Sequence, residues 1–118
     1  TFLSAQPEVA EVWYPAFTDR EAYEVIRRPD GGYGGLISFT LKDPDKTAPM
    51  YEAMQFCKGP SLGTDYTLVC PYTLLAHYRE MAWARSCGVS AALLRISVGR
   101  ETEEELIARL ERAFAVVR

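Results

Sequence analysis

The chain has 118 residues, 48% of them hydrophobic and 25% charged, with a formal net charge of −3. That is one domain's worth of sequence, with enough apolar residues for a single core. The mild acidity leaves no basic stripe to neutralise phosphates, which argues against a nucleic-acid partner. No apolar run is long enough to cross a bilayer.

In chain order, residues 2–6 read as the end of a helical segment stopped before Pro7. Val9 to Tyr14 is a short β-type run closed by Pro15. Thr18 to Arg28 is mostly polar, with Ala22, Val25 and Ile26 at helical spacing, and predicts a short helix. Gly31-Gly32-Tyr33-Gly34-Gly35 is a turn-rich loop leading into a strand over Leu36 to Leu41. Because it precedes a strand and has neither G-x-G-x-x-G spacing nor a following Lys-Ser/Thr, it does not read as a phosphate cradle.

A helix is predicted from Thr47 to Cys57, with Pro49 in its first turn and Met50, Ala53, Met54 and Cys57 as its buried stripe. Asp65 to Cys70 alternates as a strand. From Pro71 a helical stretch runs to Cys87, broken near His77 and stopped by Gly88. Leu93 to Val98 is the last strand, with Leu94, Ile96 and Val98 on one face and Leu93, Arg95 and Ser97 on the other. In the final helix Thr102 and Glu105 form a capping box, Leu106, Ile107, Leu110, Ala113, Phe114 and Val117 recur at helical spacing, and Glu105 and Arg109 are placed for an i,i+4 pair. The expected architecture is α+β: a roughly four-stranded sheet with helices packed on one face, and residues 1–118 form a single domain.

Cys57, Cys70 and Cys87 are odd in number and include no C-x-x-C pair. They read as core or boundary residues in a reducing, cytoplasmic compartment, not as a disulfide framework or zinc site. The chain starts at Thr1, without a basic-then-apolar leader. A start without methionine suggests processing, or a piece of a longer protein.

Among chemical templates, most fail. His77 is the one histidine, and it adjoins no serine or cysteine nucleophile in a recognisable motif. It is expected to pack near the helix break and bond a backbone group. No metal site is expected. Arg95 is the anomaly, because a guanidinium inside a short apolar strand needs a partner. That partner is an internal carboxylate, solvent at a sheet edge, or a bound anion, for which an organic carboxylate suits the guanidinium fork.

Five segments in order carry a resemblance: Gly34 to Phe39, Ser61-Leu62-Gly63, Pro71 with His77 six residues on, Leu94 to Gly99, and Glu101. Together with Pro7-Glu8-Val9 and Val12-Trp13-Tyr14-Pro15 they resemble the C-terminal domain of the pyridoxal-phosphate enzymes of cysteine and methionine metabolism. That family holds cystathionine γ-synthase, cystathionine lyases, methionine γ-lyase and homoserine sulfhydrylases, and it has the fold-type I architecture. The resemblance implies that Arg95 clamps the α-carboxylate of an amino-acid substrate and that Ser61 and Leu62 line the same pocket. It makes Pro60 a specificity position, where a rigid apolar residue disfavours a distal ammonium group. At Ala76 a family threonine is often found, so a hydroxyl contact is lost.

It further implies a longer enzyme, usually a homotetramer, whose large domain supplies the aldimine lysine and holds the cofactor. Lys42, Lys46 and Lys58 lie in no Ser-x-Thr-Lys stretch. This chain is therefore expected to contain no catalytic residue and to bind no pyridoxal phosphate by itself. The competing expectation is a stand-alone α+β module that binds a carboxylate without turnover.

Overall fold

The computed structural model describes residues 2–118; Thr1 lies outside the described residues. Five strands form one sheet: β1 (Val9–Trp13), β2 (Leu36–Leu41), β3 (Cys57–Lys58), β4 (Leu68–Pro71) and β5 (Leu94–Ser97). Their order is β1-β2-β5-β4-β3, which places β5 at the centre. All pairings are antiparallel except β3 with β4. Four of the strands match the expected ones. The fifth, β3, has two residues and no periodicity of its own, and it exists only through parallel pairing of Cys57 with Leu68 and Lys58 with Val69.

That pairing also shortens the preceding helix. α3 (Thr47–Ala53) ends when Met54 turns extended, with ψ 118°, instead of continuing to Cys57. The turn drives Phe56 into the core and sends the exposed Cys57 into β3. The cysteines are accordingly not all core or boundary residues: Cys70 is buried, while Cys57 and Cys87 are exposed.

α6 (Glu103–Ala115) forms where its apolar spacing predicts it. The Thr102 hydroxyl accepts from the Glu105 amide at 3.3 Å, while the Glu105 carboxylate pairs with Arg109 one turn on. Phe114 and Ala113 on α6, with Met50 on α3, meet Phe39, Val69, Leu94 and Ile96 from the sheet, all but sealed from solvent. Strand alternation puts these sheet residues on one face, and burying them is the main source of the domain's stability.

The N-terminal third holds two short helices where one was expected. Pro15 closes the extended run after β1 and also starts a helix, giving α1 (Pro15–Thr18), and Asp19 separates it from α2 (Arg20–Glu24). Proline fits this first helical position because its missing N–H has no intrahelical partner there. The short helix expected over Thr18 to Arg28 is present but ends at Glu24, and Ala22, Val25 and Ile26 are exposed.

The second helical stretch does break at His77. It comprises α4 (Tyr72–Ala76), a 3₁₀ turn over Tyr78–Glu80, and α5 (Met81–Ser86). Gly88 follows with φ +80°, the left-handed stop that glycine adopts without Cβ strain. Among the described residues no helix is long and apolar enough to cross a membrane.

Candidate functional site

Residues directly opposite one another across the sheet share a face. Trp13 opposes Ser38, Ser38 opposes Arg95, and Arg95 opposes Cys70. These four form a row on the face opposite the core. Arg95 is half-buried on the central strand, so it is not at a sheet edge. It also forms no ion pair among the described residues.

Backbone carbonyls fix one end of its guanidinium. Nη2 donates to Pro60 O at 2.5 Å and to Ser61 O at 3.2 Å. The guanidinium carbon lies 5.4 Å from the centre of the Tyr72 ring, within range of a cation–π contact. Nε is buried with no hydrogen-bond partner among the described residues. Carbonyls and a ring face orient the cation but carry no net negative charge, so an anion is the complement the site lacks.

Pro60, Cys70, Tyr72, Leu75, Ala76 and Arg95 line a recess of about 210 Å³. Three of the sequence-predicted positions, Arg95, Pro60 and Ala76, therefore meet in one place. Ser61 contributes its carbonyl to the guanidinium. Leu62 points elsewhere and lines a neighbouring recess with Gly63, Ser97 and Arg100.

Burial pushes the Cys70 thiol above its ordinary pKa, against the opposing pull of Arg95, so it is a neutral part of the recess wall. His77 does not use its ring on a backbone group: Nδ1 lies 2.7 Å from Glu80 Oε1, and the ring sits between Tyr72 and Trp83. The glycine loop presents acceptors, with Gly31 O bonded by Arg27 Nη1 and Gly34 O by Tyr14 Oη. A phosphate cradle would need its N–H groups instead.

One further cluster joins Glu101 and Gly99, which the sequence marked only as part of the family resemblance, to Thr67. Glu101 Oε1 accepts from the Thr67 amide at 2.8 Å, Oε2 accepts from the Thr67 hydroxyl at 2.7 Å, and the Gly99 amide donates to Thr67 Oγ1 at 2.9 Å. Burial pushes the Glu101 carboxyl up, but the Thr67 hydrogen bonds outweigh it and hold the group below the usual carboxylate range. The advance signals were the placement of Glu101 just after the arginine strand and its part in the resemblance; neither pointed to Thr67.

The lysines have other occupations. Lys46 Nζ donates to Val117 O at 2.5 Å, Lys58 Nζ donates to Glu52 O at 3.0 Å, and Lys42 is exposed beyond β2. None lines the Arg95 recess, which has one cation and no amine. That donor set does not fit pyridoxal phosphate, which needs an amine for its carbonyl carbon and several donors for its phosphate.

The fold and recess define a small α+β domain with an uncompensated cation above a mostly apolar hollow. Comparison with known proteins gives its kinship: the sequence model for Cys/Met metabolism PLP-dependent enzymes matches residues 1–115, and the chain belongs to that family. It is 49% identical over 115 residues to cystathionine gamma-synthase of Neurospora crassa, an alignment covering 97% of this chain and 18% of that protein. The Escherichia coli cystathionine gamma-synthase is 32% identical, over 96% of this chain and 30% of the relative. Among solved structures, cystathionine gamma-lyase from Lactobacillus plantarum complexed with L-serine superposes with a TM-score of 0.82 at 29% identity, covering 98% of this chain and 31% of that one. These neighbours bear out the fold-type I expectation. The chain thus spans less than a third of the length of each of these proteins.

Proposed function

We propose that residues 1–118 serve as the C-terminal, substrate-closing domain of a pyridoxal-phosphate-dependent lyase or transferase. Its substrates would be sulfur-containing or γ-substituted amino acids, and Arg95 would orient their α-carboxylate. One observation carries this reading: a central-strand arginine above a recess, held by carbonyls, with no carboxylate partner and an unpaired Nε–H among the described residues. An unmet donor on a buried charged group is costly. A small turn of the guanidinium toward an incoming carboxylate would relieve that cost and form a charge-assisted pair.

The family's cofactor supplies the electron sink when bound. Residues outside this chain would hold it, in a large domain and a neighbouring subunit of a homotetramer located in the cytoplasm. This chain's own contribution is orientation, since fixing the carboxylate limits the poses of the reacting carbons. Pro60, beside Arg95, presents an apolar wall that disfavours a distal ammonium group, and Ala76 widens the hollow without adding a hydroxyl. Ser61 steadies the guanidinium through its carbonyl, while Leu62 lines the neighbouring recess.

The test is steady-state kinetics of the full-length protein with L-cysteine, L-homocysteine, L-cystathionine and O-acetyl-L-homoserine. In Arg95→Ala, kcat/KM for the best of these should fall by about 2–4 kcal/mol in transition-state terms. An unchanged value removes Arg95 from the site. Absence of turnover with all four overturns the enzyme reading and favours a carboxylate-binding module.

A further inference from the structure

The segment from Pro60 to Tyr66 carries no helix or strand, yet its carbonyls hold the Arg95 guanidinium. Its position therefore sets the position of the cation. The long-range hydrogen bonds on this loop and on Thr67, which ends it, all come from one short stretch, β5 and the turn after it. Arg95 holds Pro60 and Ser61. Ser97 Oγ accepts from the Gly63 amide at 3.0 Å. The Arg100 amide donates to Asp65 O at 2.9 Å. Glu101 takes both the amide and the hydroxyl of Thr67, and the Gly99 amide completes the cluster.

Packing there is as close as a peptide chain permits. A Cβ on Gly99 would lie 2.4 Å from the Tyr66 carbonyl carbon and 2.5 Å from both Thr67 N and Glu101 Oε2. The loop therefore lies directly against the β5 exit, and only glycine leaves room for it. Thr67 is buried, so the two hydrogen bonds it gives Glu101 face little competition from water.

We propose that Glu101 is a positioning residue for substrate binding: by holding Thr67 it fixes the 60–67 loop, and through the loop's carbonyls it aims the Arg95 guanidinium at the recess. Glu101 does not line that recess and acts only through the loop. The inference rests on the reading of Arg95 as the carboxylate clamp. Arg95, Ser97, Gly99 and Glu101 then form one device. The strand supplies the cation, and its exit turn holds the loop that orients it.

The test uses the full-length protein and two variants, Glu101→Ala and the milder Thr67→Val, which keeps the buried volume but removes the hydroxyl. Hydrogen exchange across residues 60–67 should accelerate about tenfold or more in both, as expected when hydrogen bonds to a charged group are lost. KM for the best amino-acid substrate should rise about tenfold while kcat stays within about threefold, because aim is lost and the chemistry elsewhere is intact. Glu101→Gln, which keeps an acceptor for the Thr67 amide, should recover part of both effects. Gly99→Ala should reproduce them sterically.

Unchanged exchange in Thr67→Val and Glu101→Ala overturns the inference. So does an unchanged KM in both, whatever Arg95→Ala does. An unchanged KM in Arg95→Ala alone instead overturns the carboxylate reading on which the inference rests. If Glu101→Ala fails to fold, Thr67→Val decides by the same two measurements.

Discussion

The two faces of the central sheet divide the domain's work. On one face Phe39, Val69, Leu94 and Ile96 are sealed beneath α3 and α6. On the other, Trp13, Ser38, Arg95 and Cys70 form a row that leads into a lined recess. Adjacent residues of one strand, Leu94 and Arg95, thus belong to different enterprises, because successive side chains point to opposite faces. A change on the first face should act on stability and spare recognition. A change on the second should do the reverse.

The largest expected effect lies on the core face. Phe39→Ala deletes a fully buried ring and should lower the opening free energy of the β2 and β5 amides by about 3–5 kcal/mol, read by hydrogen exchange in the full-length protein. A loss confined to substrate affinity would break the division. On the second face, Arg95→Ala should leave those amides within about 1 kcal/mol of their original protection, because Arg95 contributes carbonyl and ring contacts but no core packing.

A smaller effect is expected at α6. Thr102→Ala removes the hydroxyl acceptor of the Glu105 amide and should cost about 1 kcal/mol, seen as several-fold faster exchange in the first helical turn. Substrate ranking should not change.

Acidification sharpens the comparison further. The folded pKa of Glu101 lies below its ordinary value of 4.5, so its stabilising contribution is present above the normal carboxylate range and is lost as pH falls through the depressed value. Arg109 reinforces the charged form. Protection of residues 60–67 should therefore drop on the acid side in the native protein, and Glu101→Gln should flatten that dependence. Smallest of all, Pro60→Glu should reorder the preference among the four amino acids without changing amide protection in the core. An identical ranking would remove Pro60 from specificity.

The same division explains what the sequence disclosed. β2, β5 and α6 were legible because their patterns are local: alternation in Leu36 to Leu41, and helical spacing with a threonine cap in α6. Gly88 and the break at His77 were legible as punctuation. Arg95 stood out because a charge interrupts an apolar strand. By contrast, β3 is formed by pairing with residues 11 positions away, and nothing in Cys57-Lys58 announces it. The apolar spacing of Ala22, Val25 and Ile26 predicted a helix as far as Arg28, yet α2 stops at Glu24 and all three residues are exposed. The contacts of Glu101 with Thr67 and of Ser97 with Gly63 join residues 34 apart in the chain. No spacing rule reaches that far, so the loop's anchorage became visible only in three dimensions.

Central to the account is the claim that Arg95 reads a carboxylate, and the most direct measurement isolates that group. The affinities of the full-length protein for L-serine and for ethanolamine, which lacks the carboxylate, should be compared in the native form and in Arg95→Ala. The preference for L-serine should fall by about 30- to 1,000-fold in the variant, with ethanolamine binding little changed. An undiminished preference for the acid over the amine would contradict the account.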